Sequence, residues 1–314
     1  MRIISGADGG FGLAVFRKSI NFAEYSGFYF FIGIAMENEP IRPDVLNFDD
    51  IRQLVPALGK HRKLVERIMH FLWVDRVNEV HGRYCNTPGA EFSHKLAEEE
   101  FRIRLRVDNE QVLSQFPEGA FVTVSNHPFG GMDGILLIHL VSKYRPDFRV
   151  MVNLVLNNIR AMRPSFIAVD PQQSDDPKKK KITMQGIREA IAQVRGGHPL
   201  GFFPAGAVSK IQRNLRIADR EWQPSIIRLI HQFHVPVIPI YFHGHNSTFF
   251  NILGLIDWRI RTLRLPREVF LMRDKEVHVS VGDPIMPGEQ AACPDLDALG
   301  RLLRERTYSL KAIK

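Results

Sequence analysis

The sequence predicts an α/β fold in which helices sandwich a mixed β-sheet, with a mainly helical segment (residues 1–90) before the α/β domain (residues 91–314). Two observations support this class. From residue 121 onward, short apolar runs typical of buried strands alternate with stretches of helical spacing. In the N-terminal segment, apolar residues recur mostly at helical intervals. The chain has 314 residues, 45% hydrophobic and 24% charged, which suits one large domain or a domain with an appendage.

The N-terminal segment is expected to cover the sheet or to lie on a membrane surface. Between residues 49 and 75, apolar residues fall at the spacing of one helix face, and Gly59 is expected to divide this stretch into two helices. Asn47 and Asp49 are candidate caps for its start. The turn residues Asn-Thr-Pro-Gly at 86–89 mark the boundary with the α/β domain.

Seven strands and four helices are predicted in the α/β domain from apolar runs and from helical spacing. Along the first strand, apolar residues alternate with arginine, so one face carries three arginines for solvent or for lipid phosphate. The predicted strands cover residues 101–107, 121–125, 150–156, 165–170, 200–203, 235–242 and 277–281. The predicted helices cover residues 132–141, 182–194, 225–233 and 296–310.

Residues 126–134, Asn-His-Pro-Phe-Gly-Gly-Met-Asp-Gly, are the most informative part of the chain. The strand before them delivers His127 to an edge of the sheet, and Gly130 and Gly131 give the turn its backbone freedom. Asp133 falls in the first turn of the following helix, where the helix dipole favours a carboxylate. It is placed to hold the imidazole in one tautomer while the other ring nitrogen accepts a proton from a substrate hydroxyl. The pair is therefore a candidate general base with its orienting acid.

This segment and two later blocks resemble the glycerolipid and lysophospholipid acyltransferase family. The closest likeness is to the branch that acylates lyso-ornithine and related amino-acid lipids, often labelled haemolysins. That branch has Asn-His-Pro-x-Gly-Gly-x-Asp-Gly, with five residues between His and Asp, and this chain has the same spacing. The later blocks are Phe-Pro-Ala-Gly-Ala-Val-Ser-Lys at 203–210 and the Val-Pro-containing strand at 235–242. The resemblance extends from about residue 72 to about residue 285, and it implies a fold similar to that of glycerol-3-phosphate acyltransferase.

The resemblance implies that His127 and Asp133 are the catalytic pair. The third block departs from the family at Ala205, where Glu is usual, and at Ala207, where the amino-acid-lipid branch has Glu. The implied substrate-binding residues are Asn126, Gly130, Gly131, Arg163, Phe203, Pro204, Gly206, Ser209 and Lys210. The last two are the remaining candidates for binding an anionic head group.

Three features have a second interpretation. Arg163 stands before a strand, where the family has a substrate-binding arginine, but it equally suits a solvated arginine at a helix end. The strand at 235–242 suits the core better than an acyl-chain contact. Phe-Pro-Glu-Gly at 116–119 has the letters of the family's third block, but it precedes His127 and is interpreted as an ordinary turn.

The reaction implied by the resemblance is acyl transfer from a thioester, acyl-ACP (acyl carrier protein) or acyl-CoA, to the hydroxyl of a lyso-lipid. The acceptor would be lyso-ornithine or another lyso-amino-acid lipid, or a lysophospholipid. No metal or bound cofactor is expected, because the thioester is a co-substrate. Two alternatives remain. A lipid thioesterase or hydrolase would use the same histidine, but the sequence has no Gly-x-Ser-x-Gly elbow. A non-catalytic membrane-binding protein accords with the basic charge and with alanine at position 205.

Charge and cysteine content indicate the expected partners and compartment. A net charge of +8 and a pI near 9.6, with four lysines at 178–181 in a predicted loop, favour an anionic membrane surface as a partner. No zinc-finger or RNA-binding pattern points to nucleic acid. The two cysteines, Cys85 and Cys293, suit a reducing compartment. The most apolar run, residues 27–36, is too short to span a bilayer. We expect a cytoplasmic protein, peripheral on the inner face of the cell membrane.

Overall fold

The computed structural model describes residues 41–170, 177–212 and 214–312, which form an α/β fold around one seven-stranded sheet and a short two-stranded hairpin. The apolar run at residues 27–36 lies outside the described residues. The strands are β1 (Arg104–Asp108), β2 (Val122–Ser125), β3 (Arg149–Asn153), β4 (Phe166–Val169), β5 (Leu200–Phe202), β6 (Lys210–Ile211), β7 (Ile217–Ala218), β8 (Val237–Phe242) and β9 (Glu276–Val281).

The α-helices of the described residues precede, connect and follow these strands. None of them is long and apolar enough to cross a bilayer. They are α1 (Phe48–Leu54), α2 (Arg62–Phe71), α3 (Val74–Tyr84), α4 (Ala90–Lys95), α5 (Glu110–Ser114), α6 (Gly131–Ser142), α7 (Pro177–Arg195), α8 (Pro224–Phe233), α9 (Thr248–Ile256), α10 (Trp258–Leu263), α11 (Leu265–Phe270), α12 (Pro287–Ala291) and α13 (Leu296–Ser309).

The large sheet is mixed, and its strand order is β1-β9-β8-β2-β5-β3-β4. Every neighbouring pair is parallel except β8 and β9, which are antiparallel. Strand β2 lies at the centre between β8 and β5, and all of its residues are buried. Because β2, β5 and β8 run in the same direction, the segments that follow them emerge at one edge of the sheet, where α/β proteins usually bind ligands. The predicted fold class is confirmed.

Helices cover both faces of the sheet. Along β3, Val150 and Val152 belong to one hydrophobic cluster and Met151 to another, as the alternation of side chains in a strand requires. The first cluster contains α6, which is buried along its whole length, together with residues of α4. The second contains residues of α7, α8 and α13. Buried apolar side chains therefore hold helices against the sheet from both sides.

The described part of the N-terminal segment is helical and joins the core. The side chain of Asn47 accepts the backbone N–H of Asp50, which confirms the predicted cap of α1. A 3₁₀ helix over Pro56–Lys60 separates α1 from α2, so the expected interruption near Gly59 is also confirmed. Val80 of α3 belongs to the hydrophobic cluster that contains α6. The division into two domains at residue 90 stays a prediction.

Two predicted strands have different limits in the structure. The strand predicted at 150–156 ends at Asn153, because that side chain accepts the N–H of Val155 and begins a 3₁₀ helix. The first strand begins at Arg104, three residues later than predicted. Its predicted beginning includes Arg102, whose positive φ of 47° is incompatible with extended backbone.

Two further predictions concern connecting segments. The lysines at 178–181 lie in the first turns of α7, so their predicted location in a loop is wrong. The segment at 116–119 is a turn, as interpreted: Gly119 has a φ of 84°, and the guanidinium of Arg145 donates to its carbonyl oxygen. Sequence patterns did not predict α9, α10 and α11, because their apolar residues lie on more than one face and hide the helical period.

Candidate active site

His127 is held at the end of the central strand by its neighbour Asn126. The side chain of Asn126 is buried, and its amide donates to the carbonyl oxygen of Phe242 at 2.8 Å. The side-chain oxygen accepts the N–H of the same residue at 2.7 Å. These two bonds join the ends of β2 and β8. Asn126, predicted to bind substrate, therefore fixes the backbone from which His127 extends.

Hydrogen bonds to Asp219 and Ser209 fix the main chain of His127. Its N–H donates to a carboxylate oxygen of Asp219 at 3.2 Å, and its carbonyl oxygen accepts the N–H of Ser209 at 2.8 Å. The hydroxyl of Ser209 is buried and donates to the same oxygen of Asp219 at 2.5 Å. The Ser209 hydroxyl is thus engaged within the protein rather than presented to a head group. The role of Asp219 could not be predicted from the sequence, because this residue belongs to no motif and follows a two-residue strand.

The side chains of His127 and Asp133 face each other. The Nδ1 atom of His127 lies 2.8 Å from one carboxylate oxygen of Asp133, which also accepts the N–H groups of Phe129 and Gly130 at 2.9 Å each. The Asp133 side chain is fully buried, whereas 17% of the His127 side chain is exposed. The Nδ1–H is not aligned for a good hydrogen bond, an arrangement that commonly tightens when substrate binds. The five-residue spacing is therefore compatible with an ion pair.

Burial raises the pKa of the Asp133 carboxyl group above its ordinary value. The contact with His127 and the two backbone N–H donors act in the opposite direction, because they stabilise the ionised form. When Asp133 is ionised, the neighbouring group that can balance its charge by becoming a cation is the imidazole of His127. The arrangement consequently stabilises the imidazolium that forms when His127 accepts a proton.

The turn between the two side chains requires glycine at one position. Gly130 has a φ of 79°, and a Cβ atom there would lie 3.0 Å from Leu265 and 3.1 Å from Val208. The backbone conformation disfavours any residue with a Cβ atom, and that atom would also press on these two side chains. Gly131 begins α6, so its N–H belongs to the first turn of the helix, where backbone donors lack partners within the helix.

Two cavities flank this turn. The first, of about 320 Å³, is lined by His127 and by polar side chains that include Asn153 and Arg228. Its wall contains Phe203, whose ring stacks on the imidazole of His127 with centroids 4.5 Å apart, and also Gly206. The second cavity, of about 300 Å³, is lined almost entirely by apolar side chains of α3, α4, α6, α10 and α11.

The two cavities are adjacent at the turn between His127 and Asp133, the candidate catalytic turn. Gly130 lines the first, Gly131 lines the second, and Leu156 lines both. A molecule with a polar part and a long apolar part can therefore place its junction beside His127. The predicted residues Gly130, Gly131, Phe203 and Gly206 are brought together here, although their contact with a substrate stays a prediction.

The other predicted residues have different surroundings. Arg163 lies in a 3₁₀ helix, where its Nε donates to the carbonyl oxygen of Asn157 at 3.0 Å, and it lines neither cavity. Lys210 is exposed in β6 and also lines neither. Pro204 and Ala205 are buried behind Phe203. The roles proposed for Arg163, Pro204 and Lys210 in substrate binding stay predictions.

Two clusters have the residue types of a metal site, but their members contact one another. They are His94 with Glu98 and His139, and Asp108 with His243 and His278. In the first, the two Nδ1 atoms lie 2.8 Å apart, and the carboxylate pairs with Lys143 at 3.3 Å. In the second, the imidazole rings of His243 and His278 are stacked with centroids 3.8 Å apart, and His278 Nε2 and the Ser280 hydroxyl both bond the same carboxylate oxygen of Asp108. Neither cluster lines the cavities beside His127.

Comparison with known proteins classifies the chain. A family model described as "Acyltransferase" matches residues 54–313. The lyso-glycine lipid O-acyltransferase of Bacteroides thetaiotaomicron is 33% identical over 178 residues, covering 54% of this chain and 61% of the relative. The enzyme of the same name from Phocaeicola vulgatus is 31% identical over 181 residues, covering 55% and 62%. The matched regions thus span about three fifths of the length of these curated relatives.

A solved structure is also similar to this chain. It is the 1-acyl-sn-glycerophosphate (LPA) acyltransferase PlsC from Thermotoga maritima, with 14% sequence identity and a TM-score of 0.42. The superposition covers 92% of this chain and 88% of that one. The family is assigned from the family model, which matches residues 54–313. The chain belongs to the acyltransferase family.

Proposed function

We propose that the protein transfers a fatty acyl group from an acyl thioester, acyl-ACP or acyl-CoA, to the hydroxyl group of a lyso-lipid. The observation that carries this proposal is the approach of His127 to the buried carboxylate of Asp133 beside two adjacent cavities, one almost entirely apolar and the other with several polar side chains in its wall. A lyso-amino-acid lipid is the acceptor class we favour, because both curated relatives are named for acylation of lyso-glycine lipid.

His127 acts as the general base in this mechanism. Its Nδ1 faces Asp133, which leaves Nε2 to accept the proton of the acceptor hydroxyl. As the proton leaves, the hydroxyl oxygen attacks the thioester carbonyl carbon and forms a tetrahedral intermediate. When the C–S bond breaks, His127 returns the proton to the leaving thiolate. Positioned proton transfer of this kind contributes roughly 10²- to 10⁴-fold to a rate.

The oxyanion of the tetrahedral intermediate needs hydrogen-bond donors. The backbone N–H groups of three glycines near His127, namely Gly130, Gly131 and Gly206, are candidates. The N–H of Gly130 already donates to Asp133, and that of Gly206 donates to the carbonyl oxygen of Phe203. Gly131, at the start of α6, has no acceptor for its N–H among the described residues. We therefore assign the Gly131 amide to the oxyanion, supported by the dipole of the buried helix.

The two cavities separate the parts of the substrates by polarity. The apolar cavity suits a fatty acyl chain, because its lining offers almost no hydrogen-bonding group. Asn153 and Arg228 are among the polar residues in the wall of the first cavity, and such residues suit the polar head of the acceptor. On this division, the ester junction would lie at the turn that contains Gly130 and Gly131.

Incubation of the purified protein with a radiolabelled acyl thioester, with and without lyso-glycine or lyso-ornithine lipid, tests the proposal. We expect labelled diacyl lipid only when the acceptor is present, and little free fatty acid in either case. Free acid formed equally with and without the acceptor would show a hydrolase. Binding of lipid with no loss of thioester would show a non-catalytic protein, and either outcome refutes acyl transfer.

A further inference from the structure

Helices α9 and α10 carry a surface that is apolar and exposed. In α9, Phe249, Ile252 and Ile256 recur at helical intervals and are exposed, whereas Phe250 and Asn251 are buried; α10 adds three further exposed apolar residues. We call this surface the apolar helical face, and it consists of Phe249, Ile252, Leu255, Ile256, Trp258, Ile260 and Leu263. Leu255 is 62% exposed and Ile256 is 71% exposed. Single exposed apolar residues are ordinary, but seven within two consecutive helices form a patch that indicates a binding partner.

The exposed charges beside the apolar helical face are mainly positive. Residues 248–267 contain four arginines and one acidic residue, Asp257, but Arg261 is buried and Arg264 pairs with the buried carboxylate of Glu268 at 2.8 Å. Arg259 and Arg267 are exposed, and the guanidinium groups of Arg259 and Arg264 lie over the rings of Trp258 and Phe249 respectively. Apolar and aromatic side chains rimmed by arginine complement an anionic bilayer, in which hydrocarbon lies beneath negatively charged head groups.

Helix α10 also lines the apolar cavity. Thr262 and Leu263 of α10 and Leu265 of α11 form part of the cavity wall, and Leu263 also belongs to the exposed face. The side chain of Leu265 is the one that a Cβ atom at Gly130 would approach most closely, at 3.0 Å. One helical layer therefore separates the outer surface from the catalytic turn, which is a short route for a lipid that enters from a membrane.

Arg261 connects this layer to the catalytic histidine. Its side chain is buried, and its guanidinium donates to the carbonyl oxygens of Ser209 and Val208 at 3.0 and 3.2 Å. The N–H of Ser209 in turn donates to the carbonyl oxygen of His127. Helix α10 thus positions the loop that holds His127 while presenting apolar side chains on its outer side.

We propose that the apolar helical face is the site at which the protein docks onto an anionic lipid bilayer, with its apolar side chains at the level of the head groups. This inference deepens the proposed function, on which it rests for the identity of the lipid substrate. The docked orientation directs the mouth of the apolar cavity toward the hydrocarbon, so that a lyso-lipid reaches His127 without crossing water.

The test is flotation of the full-length protein with vesicles of equal parts phosphatidylglycerol and phosphatidylcholine. We expect Ile256→Glu to lower the bound fraction at least about tenfold, because it buries a carboxylate among head groups and apolar chains. The control is Met286→Glu, which adds the same charge at an exposed apolar residue outside the face and should bind like the wild type. Brominated acyl chains should quench the emission of Trp258, and Trp258→Phe should abolish most of that quenching.

Turnover of a short-chain lyso-lipid below its micellar concentration separates this proposal from the proposed function. Ile256→Glu should keep the wild-type rate there, which also shows that the variant is folded. Equal flotation of Ile256→Glu and the wild type would overturn the docking proposal. It would show that a second copy or residues 1–40 occupy the face, or that vesicles bind elsewhere. Absence of turnover in all variants, with flotation lost only in Ile256→Glu, would refute acyl transfer and leave the docking surface intact.

Discussion

At the scale of single residues, the site contains a carboxylate whose ionised form is destabilised by burial. Asp133 is fully buried, and among the described residues only the imidazole of His127 and two backbone N–H groups compensate its charge. Burial raises its pKa, so the folded protein holds a proton on this carboxyl to a higher pH than the unfolded chain does. The stability that this proton contributes is complete below the unfolded pKa and is lost as the pH rises through the folded pKa.

Replacement of Asp133 by Asn should therefore lower activity without lowering stability. The amide oxygen can still accept the N–H groups of Phe129 and Gly130, but it carries no charge to stabilise an imidazolium. We expect the rate of transfer to fall roughly 10²-fold. The melting temperature at pH 7 should equal or exceed that of the wild type, since no buried negative charge remains. A variant that melts well below the wild type at pH 7 would contradict this view of the carboxylate.

Replacement of Gly130 by Ala should damage both stability and catalysis. Its φ of 79° is strained for any residue with a Cβ atom, at a cost of about 1–3 kcal/mol. The new methyl group would also press on Leu265 and Val208 and displace the turn that carries Asp133, which we expect to reduce the rate about 10²-fold.

The matched control for Gly130→Ala is Gly119→Ala. Gly119 has a similar φ of 84°, but a Cβ atom there would meet nothing within 4 Å. Chemical denaturation should show a loss of stability in both variants, whereas initial rates should fall only in Gly130→Ala. Equal rates in the two variants would show that the position of the turn does not matter for transfer.

At the scale of elements, α4 and α6 pack through a pair of histidines that are held neutral. Burial lowers the pKa of His94, and it lowers the pKa of His139 to about 4. The charge of Lys143 acts in the same direction on both, while that of Glu98 opposes it. Because these pKa values lie below the unfolded value, the unfolded chain binds more protons in this range. The stability that the neutral histidines contribute is complete above about pH 6.5 and is lost as the pH falls toward 4.

His139→Gln should reduce this loss of folding stability at low pH. In the wild type, the free energy of unfolding should fall between pH 6.5 and pH 4, with a contribution from His139 of up to about 1.4 kcal/mol per pH unit. Urea denaturation at a series of pH values measures the slope. The exposed residue His61 provides the control, since His61→Gln should keep the wild-type slope. Identical slopes for all three proteins would show that His139 titrates normally.

Elements with a clear hydrophobic period could be predicted from the sequence. Strands β2 and β8 and helix α6 lie within a few residues of their predicted limits, because each is rich in apolar residues and bounded by turn residues. A pattern of single residues could not predict Asp219, since its role depends on a loop folding back onto His127. Nor could it show that the hydroxyl of Ser209 is used inside the protein. These contacts join segments about 80 to 90 residues apart along the chain.

At the scale of the whole molecule, the fold brings three separate features to one edge of the sheet. The central strand delivers His127, the buried helix α6 supplies Asp133 and a free N-terminal amide, and α10 and α11 close an apolar cavity against them. The predicted membership of the acyltransferase family is confirmed. The roles of His127 and Asp133 stay predictions that rest on this arrangement. Helix α10 also contributes exposed residues to the apolar helical face, so the turn between His127 and Asp133 lies between the sheet and the proposed membrane surface.

The most direct test of the general-base assignment is the rate of acyl transfer by His127→Ala, measured with saturating acyl thioester and a lyso-amino-acid lipid. His198→Ala is the matched control, because His198 also pairs its Nδ1 with a carboxylate, that of Asp147 at 2.7 Å, but lies before β5, away from the cavities. We predict a rate roughly 10²- to 10⁴-fold below wild type for His127→Ala and an unchanged rate for His198→Ala. Transfer at the wild-type rate by a folded His127→Ala protein would contradict the account.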